Sequence, residues 1–197
     1  MSEHAQAFIR YLSELEQHDR GALAHLRRGL GFAPGSFPRA YPYVERFVAR
    51  DSHADDPRRK ALYLTAGLFA LHPRHQDSES LATAFGHVAR HRDQAERDPS
   101  KHTVGSVEQR FIGLLGAEPE SLPSLLRQAV SLLAADDRPC DYVRLLDDLS
   151  LWLKPFAVDG RNRICQRWAR DFYRAYAPDS DATYQEPSAP NATPSAD

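Results

Sequence analysis

Apolar residues recur at helical spacing along most of this chain. At about 100° per residue, positions three and four apart share one helix face. "HAQAFIRYLSELEQ" thus places Ala5, Phe8, Ile9, Leu12 and Leu15 together. "RGALAHLRRGL", with Asp19 as its cap, turns Leu23, Leu26 and Leu30 inward. "GFAPGSFP" breaks the pattern with glycine and proline. "RAYPYVERFVAR" then predicts a third helix, interrupted or started by Pro42. "DDPRRKALYLTAGLFAL" opens with Asp55 or Asp56 as cap and Pro57 at the first helical position, and His72-Pro73 closes it. "SESLATAFGHVARH" follows, capped by Ser78 or Ser80.

The period then lapses. "RDQAERDPSKHTVG", residues 92–105, is charged without an apolar face and predicts an exposed connection. Four more helical patterns come after it. They are "SVEQRFIGLLGA", "SLPSLLRQAVSLLAA" with Ser121 as cap, "CDYVRLLDDLSLWL" and a final segment from Arg161. The third of these carries Tyr142, Leu145, Leu146, Leu149, Trp152 and Leu153 at helical spacing. No stretch alternates with period two, so the fold class is all-α, about nine helices with short loops that favour antiparallel neighbours. The predicted organisation is an N-terminal helical lobe (1–91), a connection (92–105) and a C-terminal four-helix lobe (106–176). Residues 177–197 are rich in Pro, Ala and Ser and carry Asp179, Asp181, Glu186 and Asp197 without a Lys or Arg. They predict a disordered acidic tail.

Composition narrows the function classes. Apolar residues make up 42% of 197, enough for a core, and no apolar run approaches a membrane span. The N-terminus mixes charge with apolar residues and does not read as a signal peptide. Cys140 and Cys165 lack CxxC spacing, which fits a reduced cytoplasmic pair or a single disulfide. The net charge is -2, but removing the tail's four acids from the chain's 27 leaves 23 acids against 25 bases. A body so close to neutral is not a free-standing basic DNA-binding domain. A nucleic-acid role must use local patches, with partner subunits supplying further charge.

Such patches exist. In "RNRICQRWARDFYRAY", Arg163, Arg167, Arg170 and Arg174 fall within roughly 60° of one another on a helix, opposite Ile164, Trp168 and Phe172, with Asp171 the one acid. This stripe reads as a solvated face or as a polyanion contact. Arg27 and Arg28 end the second helix, and Arg58, Arg59 and Lys60 occupy the first turn of the fourth. There the helix amides and basic side chains could converge on a phosphate, offset by Asp55 and Asp56. Arg110 and Arg127 each stand alone on strongly apolar helices. Arg144 lies among Asp141, Asp147 and Asp148, an arrangement that local ion pairing explains. Catalytic signatures are lacking: there is no GxxxxGK[ST], GxGxxG, GxSxG or HExxH. His87 and His91 share a helix face but bring no third ligand at diagnostic spacing, and Cys140 has no evident base partner. No catalytic residue, metal or cofactor is predicted.

The order of "LRRG", "RRKALYLTAGLFALHPRHQ", "SLATAFGHVAR", "VEQRFIGLL", "LPSLLRQAVSLL" and "DYVRLLDDLSLWL", followed by a basic helix ending in "RDFY", resembles the CasB family. This is the small subunit of the type I-E CRISPR Cascade complex, and the resemblance covers roughly residues 5–176. It implies a non-enzymatic, all-α protein of two small lobes, present as two copies in a crRNA-guided antiviral surveillance complex. Implied partners are the backbone, large and crRNA-processing subunits, the crRNA and the target and non-target DNA strands. The implied task is R-loop stabilisation through basic surface. By matching segments, Arg27 and Arg28 correspond to paired arginines of the N-terminal lobe, and Arg110, Arg127 and Arg144 to basic positions on C-terminal helices. Arg58, Arg59 and Lys60 match more loosely, and Arg161, Arg163 and Arg167 share only a basic terminal helix. Two rival readings are a stand-alone helical regulator that binds duplex DNA through "GALAHLRRG" and a helical metal-dependent hydrolase using His87 and His91.

Overall fold

A computed structural model of the chain describes residues 2–95 and 106–177. These residues form α1 (Glu3–His18), α2 (Arg20–Gly29), α3 (Tyr41–Val44), α4 (Pro57–Leu71), α5 (Leu81–Ala95), α6 (Ser106–Leu115), α7 (Leu122–Ala135), α8 (Tyr142–Trp152) and α9 (Val158–Tyr176). Single 3₁₀ turns at Pro38–Ala40 and Glu45–Phe47 flank α3. Among the described residues there is no strand, only an isolated bridge between His75 and Cys140.

Side-chain caps fix most helix starts. Ser2 Oγ accepts from the Ala5 amide at 3.3 Å, and Asp19 from Ala22 at 2.8 Å. Asp56, not Asp55, caps α4 by accepting from the amides of Arg58 (2.7 Å) and Arg59 (3.2 Å). Ser80 Oγ accepts from Thr83, whereas Ser78 sits in a left-handed turn with φ 69°. Asp141 caps α8 through the Arg144 amide. Ser121 departs from expectation: its hydroxyl donates to the Glu118 carbonyl instead of accepting from α7. The third helix is shorter than its pattern suggests. Pro38 and Pro42 remove two amide donors and restrict the residues before them, so only one α turn forms between 3₁₀ turns.

The core is built around α4. Its residues 61–70 are buried without exception, which marks a helix enclosed on all sides. It packs against α1, α2, α7 and α8. Beside it α5 lies along α9 and also meets α6 and α7. Two helical glycines allow close approach between helices. A Cβ at Gly67 would sit 2.7 Å from Leu30, and one at Gly86 would overlap the Phe172 carbonyl oxygen and lie 2.8 Å from the Ala175 Cβ.

Buried residues from 1–91 and from 106–176 belong to one hydrophobic cluster. The two expected lobes are therefore joined through their core as well as by chain connection, with α5 against α9 and α4 against α8. Periodicity shows which face of a helix is apolar but not which helix covers it. The connection starts later than expected, because α5 continues through residues 92–95; residues 96–105 and the tail 178–197 lie outside the described residues. Among the described residues, no helix is long and apolar enough to cross a membrane.

Candidate nucleic-acid interface

Ten of the cations singled out above divide by whether an acid already holds them. Arg27, Arg28, Arg58, Arg110, Arg127 and Arg163 are exposed, and none makes an ion pair or side-chain hydrogen bond among the described residues. Arg59, Lys60, Arg144 and Arg167 are each engaged by a carboxylate.

Arg59 is the most committed. Its guanidinium reaches Glu45 at 2.6 Å, donates to the Gly35 carbonyl at 3.3 Å and lies 4.8 Å from the centre of the Tyr63 ring. Gly35 has φ 86° in the turn that presents this carbonyl, a conformation that favours glycine. Tyr63 also donates to Glu45, at 2.6 Å. Burial pushes the Glu45 carboxyl up, but the Tyr63 and Arg59 hydrogen bonds and the Arg59 charge outweigh it and hold Glu45 below its usual range. Lys60 pairs with exposed Asp55 at 2.8 Å. With Asp56 on the amides of Arg58 and Arg59, the first turn of α4 already carries its anion, which leaves only Arg58 open there.

Arg144 and Arg167 both tie α8 to α9, Arg144 to Asp171 at 3.0 Å and Arg167 to Asp148. Local ion pairing, the expectation from the spacing of the acids around Arg144, does not form: Asp141 accepts from the Arg144 amide and not from its guanidinium. Asp148 pairs across to α9 and also accepts from Trp168 Nε1 at 2.7 Å, while Asp147 accepts from Ser2. Burial pushes the Asp148 carboxyl up despite the Arg167 and Trp168 hydrogen bonds. Helical projection cannot foresee such pairs, because the partners lie on different helices. The arginine stripe of α9 accordingly divides: Arg163, Arg170 and Arg174 are exposed and without an ion pair among the described residues, and Arg167 is a structural contact.

Among the described residues, the histidine pair gathers no group of three metal ligands. His87 Nδ1 lies 3.0 Å from Glu79, and His91 is exposed. A different group, His75, Asp77 and Asp141, has its ligand atoms within 4.8 Å of one another. Each is accounted for by the fold: Asp141 accepts from the amides of Arg144 and Ser78, and the His75 ring lies with Nδ1 3.2 Å from the Cys140 carbonyl oxygen and 3.3 Å from the Tyr142 amide nitrogen and with Nε2 3.3 Å from Asp77. Cys140 is fully buried, and burial pushes its thiol well above the ordinary range.

The sequence reading left out a groove of about 1030 Å³ that Arg127 lines together with Lys60, Lys154 and Arg161. Phe32 and Phe156 are exposed on its walls. Phe156 could be found in the sequence only as an apolar residue in the turn "KPFAVDG", where no helical period assigns it to a core.

A family model for the CRISPR-associated protein Cse2 matches residues 22–173. The CRISPR-associated protein Cse2 of Thermus thermophilus is 36% identical over 179 residues, 89% of this chain and 94% of that protein. The crystal structure of CasB from Thermus thermophilus superposes with a TM-score of 0.69 at 36% identity, covering 88% of this chain and 99% of that one. A chain of a CRISPR RNA-guided surveillance complex has the same fold, with a TM-score of 0.65 at 24% identity over 88% of this chain and 94% of that one. The family match over residues 22–173 and the 36% identity with the Thermus thermophilus protein over 89% of this chain agree: this chain belongs to the CRISPR-associated Cse2 family.

Proposed function

We propose that the chain is the non-catalytic small subunit of a crRNA-guided DNA surveillance complex and that it steadies the R-loop by holding nucleic-acid backbone on its open arginines. The observation that carries this reading is the set of six exposed cations, Arg27, Arg28, Arg58, Arg110, Arg127 and Arg163, on five helices without an acid partner among the described residues. An arginine left unneutralised on a near-neutral body is available to phosphate, and its fork matches phosphate geometry. The shared fold with a chain of a surveillance complex supports the assembly, and family membership supports the CRISPR setting. R-loop formation exchanges duplexes at nearly balanced free energy, so a few backbone contacts can decide it. Contacts of this kind position a strand without reading its bases.

The Arg27→Ala/Arg28→Ala double variant tests the proposal in a complex reconstituted with crRNA. It should fold and assemble, because exposed substitutions cost within about 0.5 kcal/mol each. It should then release target DNA faster than the wild-type complex. Equal target retention by a fully assembled variant complex would remove these two residues from the interface. Failure of the wild-type chain to co-purify with a crRNA-containing complex would remove the assembly itself.

A further inference from the structure

Phe156 is 98% exposed and has φ 61°, a left-handed conformation that is unusual for a bulky residue. It sits in the short turn between α8 and α9. Exposing a phenyl ring forgoes the stabilisation of burying it, and the backbone conformation adds a further cost. Nothing in the described fold recovers either. In the same groove Phe32 is 50% exposed and stacks on Phe37, with ring centres 4.8 Å apart and planes 19° from parallel. The stack holds one ring flat behind the other and leaves part of Phe32 open to solvent. Two aromatic rings therefore line one groove, together with Arg127 and Lys154, which are exposed and without an acid partner among the described residues. The acids there are largely spent: Asp55 pairs with Lys60 at 2.8 Å and Glu118 with Arg161 at 3.4 Å. Glu120 is the remaining acid against two open cations.

We infer that this groove takes unstacked bases of a single-stranded nucleic acid, with Phe32 and Phe156 as stacking faces and Arg127 and Lys154 as backbone contacts. The inference rests on the reading of the chain as a backbone binder and adds a second mode of contact to it. Aromatic platforms beside cations suit single strands of any sequence, because every base has a π-face and every nucleotide a phosphate. A duplex offers no splayed bases to stack on the rings. The groove volume of about 1030 Å³ is at the upper end of ordinary ligand sites, so it has room for more than one base.

The test is a cycle on the full-length protein with two probes of equal charge: an oligothymidine and the same strand with abasic positions at its centre. Phe156→Ala should weaken oligothymidine binding at least about fivefold, and the abasic strand should bind the wild type more weakly by a similar factor. The two losses should not add, and Phe156→Tyr should keep wild-type affinity. Phe156 is almost wholly exposed, so its variants should melt with the wild type. If Phe156→Ala and the abasic strand both leave affinity unchanged while binding stays salt-dependent, stacking is wrong and the backbone reading stands. If the wild type binds neither probe at any salt, both readings fall. If Phe156→Ala blocks incorporation into the complex but leaves oligonucleotide affinity untouched, the groove belongs to a protein neighbour and the inference is overturned.

Discussion

Arg59 and Arg58 are adjacent in sequence and opposite in use. Arg59 closes a contact with Glu45, Tyr63 and the Gly35 carbonyl, whereas Arg58 is exposed. Arg59→Ala should therefore destabilise the fold by about 1.5–3 kcal/mol, the usual range for a lost hydrogen bond to a charged group. Arg58→Ala should change stability by less than about 0.5 kcal/mol. Thermal melts of the two variants make the comparison, and equal losses would refute the assignment. Gly86 supplies a second test at this scale. A methyl there must displace the α9 backbone at Phe172, so Gly86→Ala should lower the melting temperature despite alanine's better helix propensity. The sequence shows a glycine at position 86 inside a helical pattern, but not that another helix crosses it.

At the scale of elements, α9 was legible in part. Its apolar face of Ile164, Trp168 and Phe172 is buried as the spacing predicts. Its polar stripe is interrupted at Arg167, because Asp148 reaches it from α8. Helix caps within two or three residues of their targets, such as Asp19 and Asp56, could be read from the chain, since cap and amide are sequence neighbours. The pairs Arg144–Asp171 and Arg167–Asp148 span 27 and 19 residues and depend on how α8 meets α9, which no single helical projection contains. Two predictions follow from that interface. Charge reversal of Arg163, Arg170 and Arg174 to Glu should leave melting unchanged and weaken nucleic-acid retention; a fall in melting temperature would show that the stripe is structural. Arg167→Ala should instead cost about 1.5–3 kcal/mol at neutral pH. Its deficit should also shrink in acid. Burial already raises the Asp148 carboxyl in the folded chain, and removing Arg167 takes away an influence that lowers it. A folded pKa above the ordinary carboxylate value, about 4, means that stability is fullest below that value and is lost as pH rises through the folded one. Melts of variant and wild type from pH 7 down to pH 4 should therefore converge. A gap that widens in acid would contradict the assignment.

For the whole molecule, the apolar pattern and the order of motifs carried the fold class and the family. How the helices pack did not follow from them. The expected lobes share one core through α4 and α5, and the groove lined by Phe32 and Phe156 is formed by segments far apart in sequence. The division of the cations into free and committed sets is likewise a property of the assembled fold. Net charge near zero excludes a uniform electrostatic footprint, so electrostatic grip on nucleic acid rests on local patches such as the open arginines. The most direct measurement is the salt dependence of single-strand binding by the wild type and by a variant with Arg27, Arg28, Arg110, Arg127 and Arg163 changed to Gln. On a log–log plot, the wild type should lose affinity with a slope of about -0.7 per phosphate contact. The five-fold variant should keep the wild-type melt and show a markedly shallower slope, by roughly one unit or less for each contact removed. An unchanged slope in a folded variant would contradict the claim that the open arginines hold the backbone.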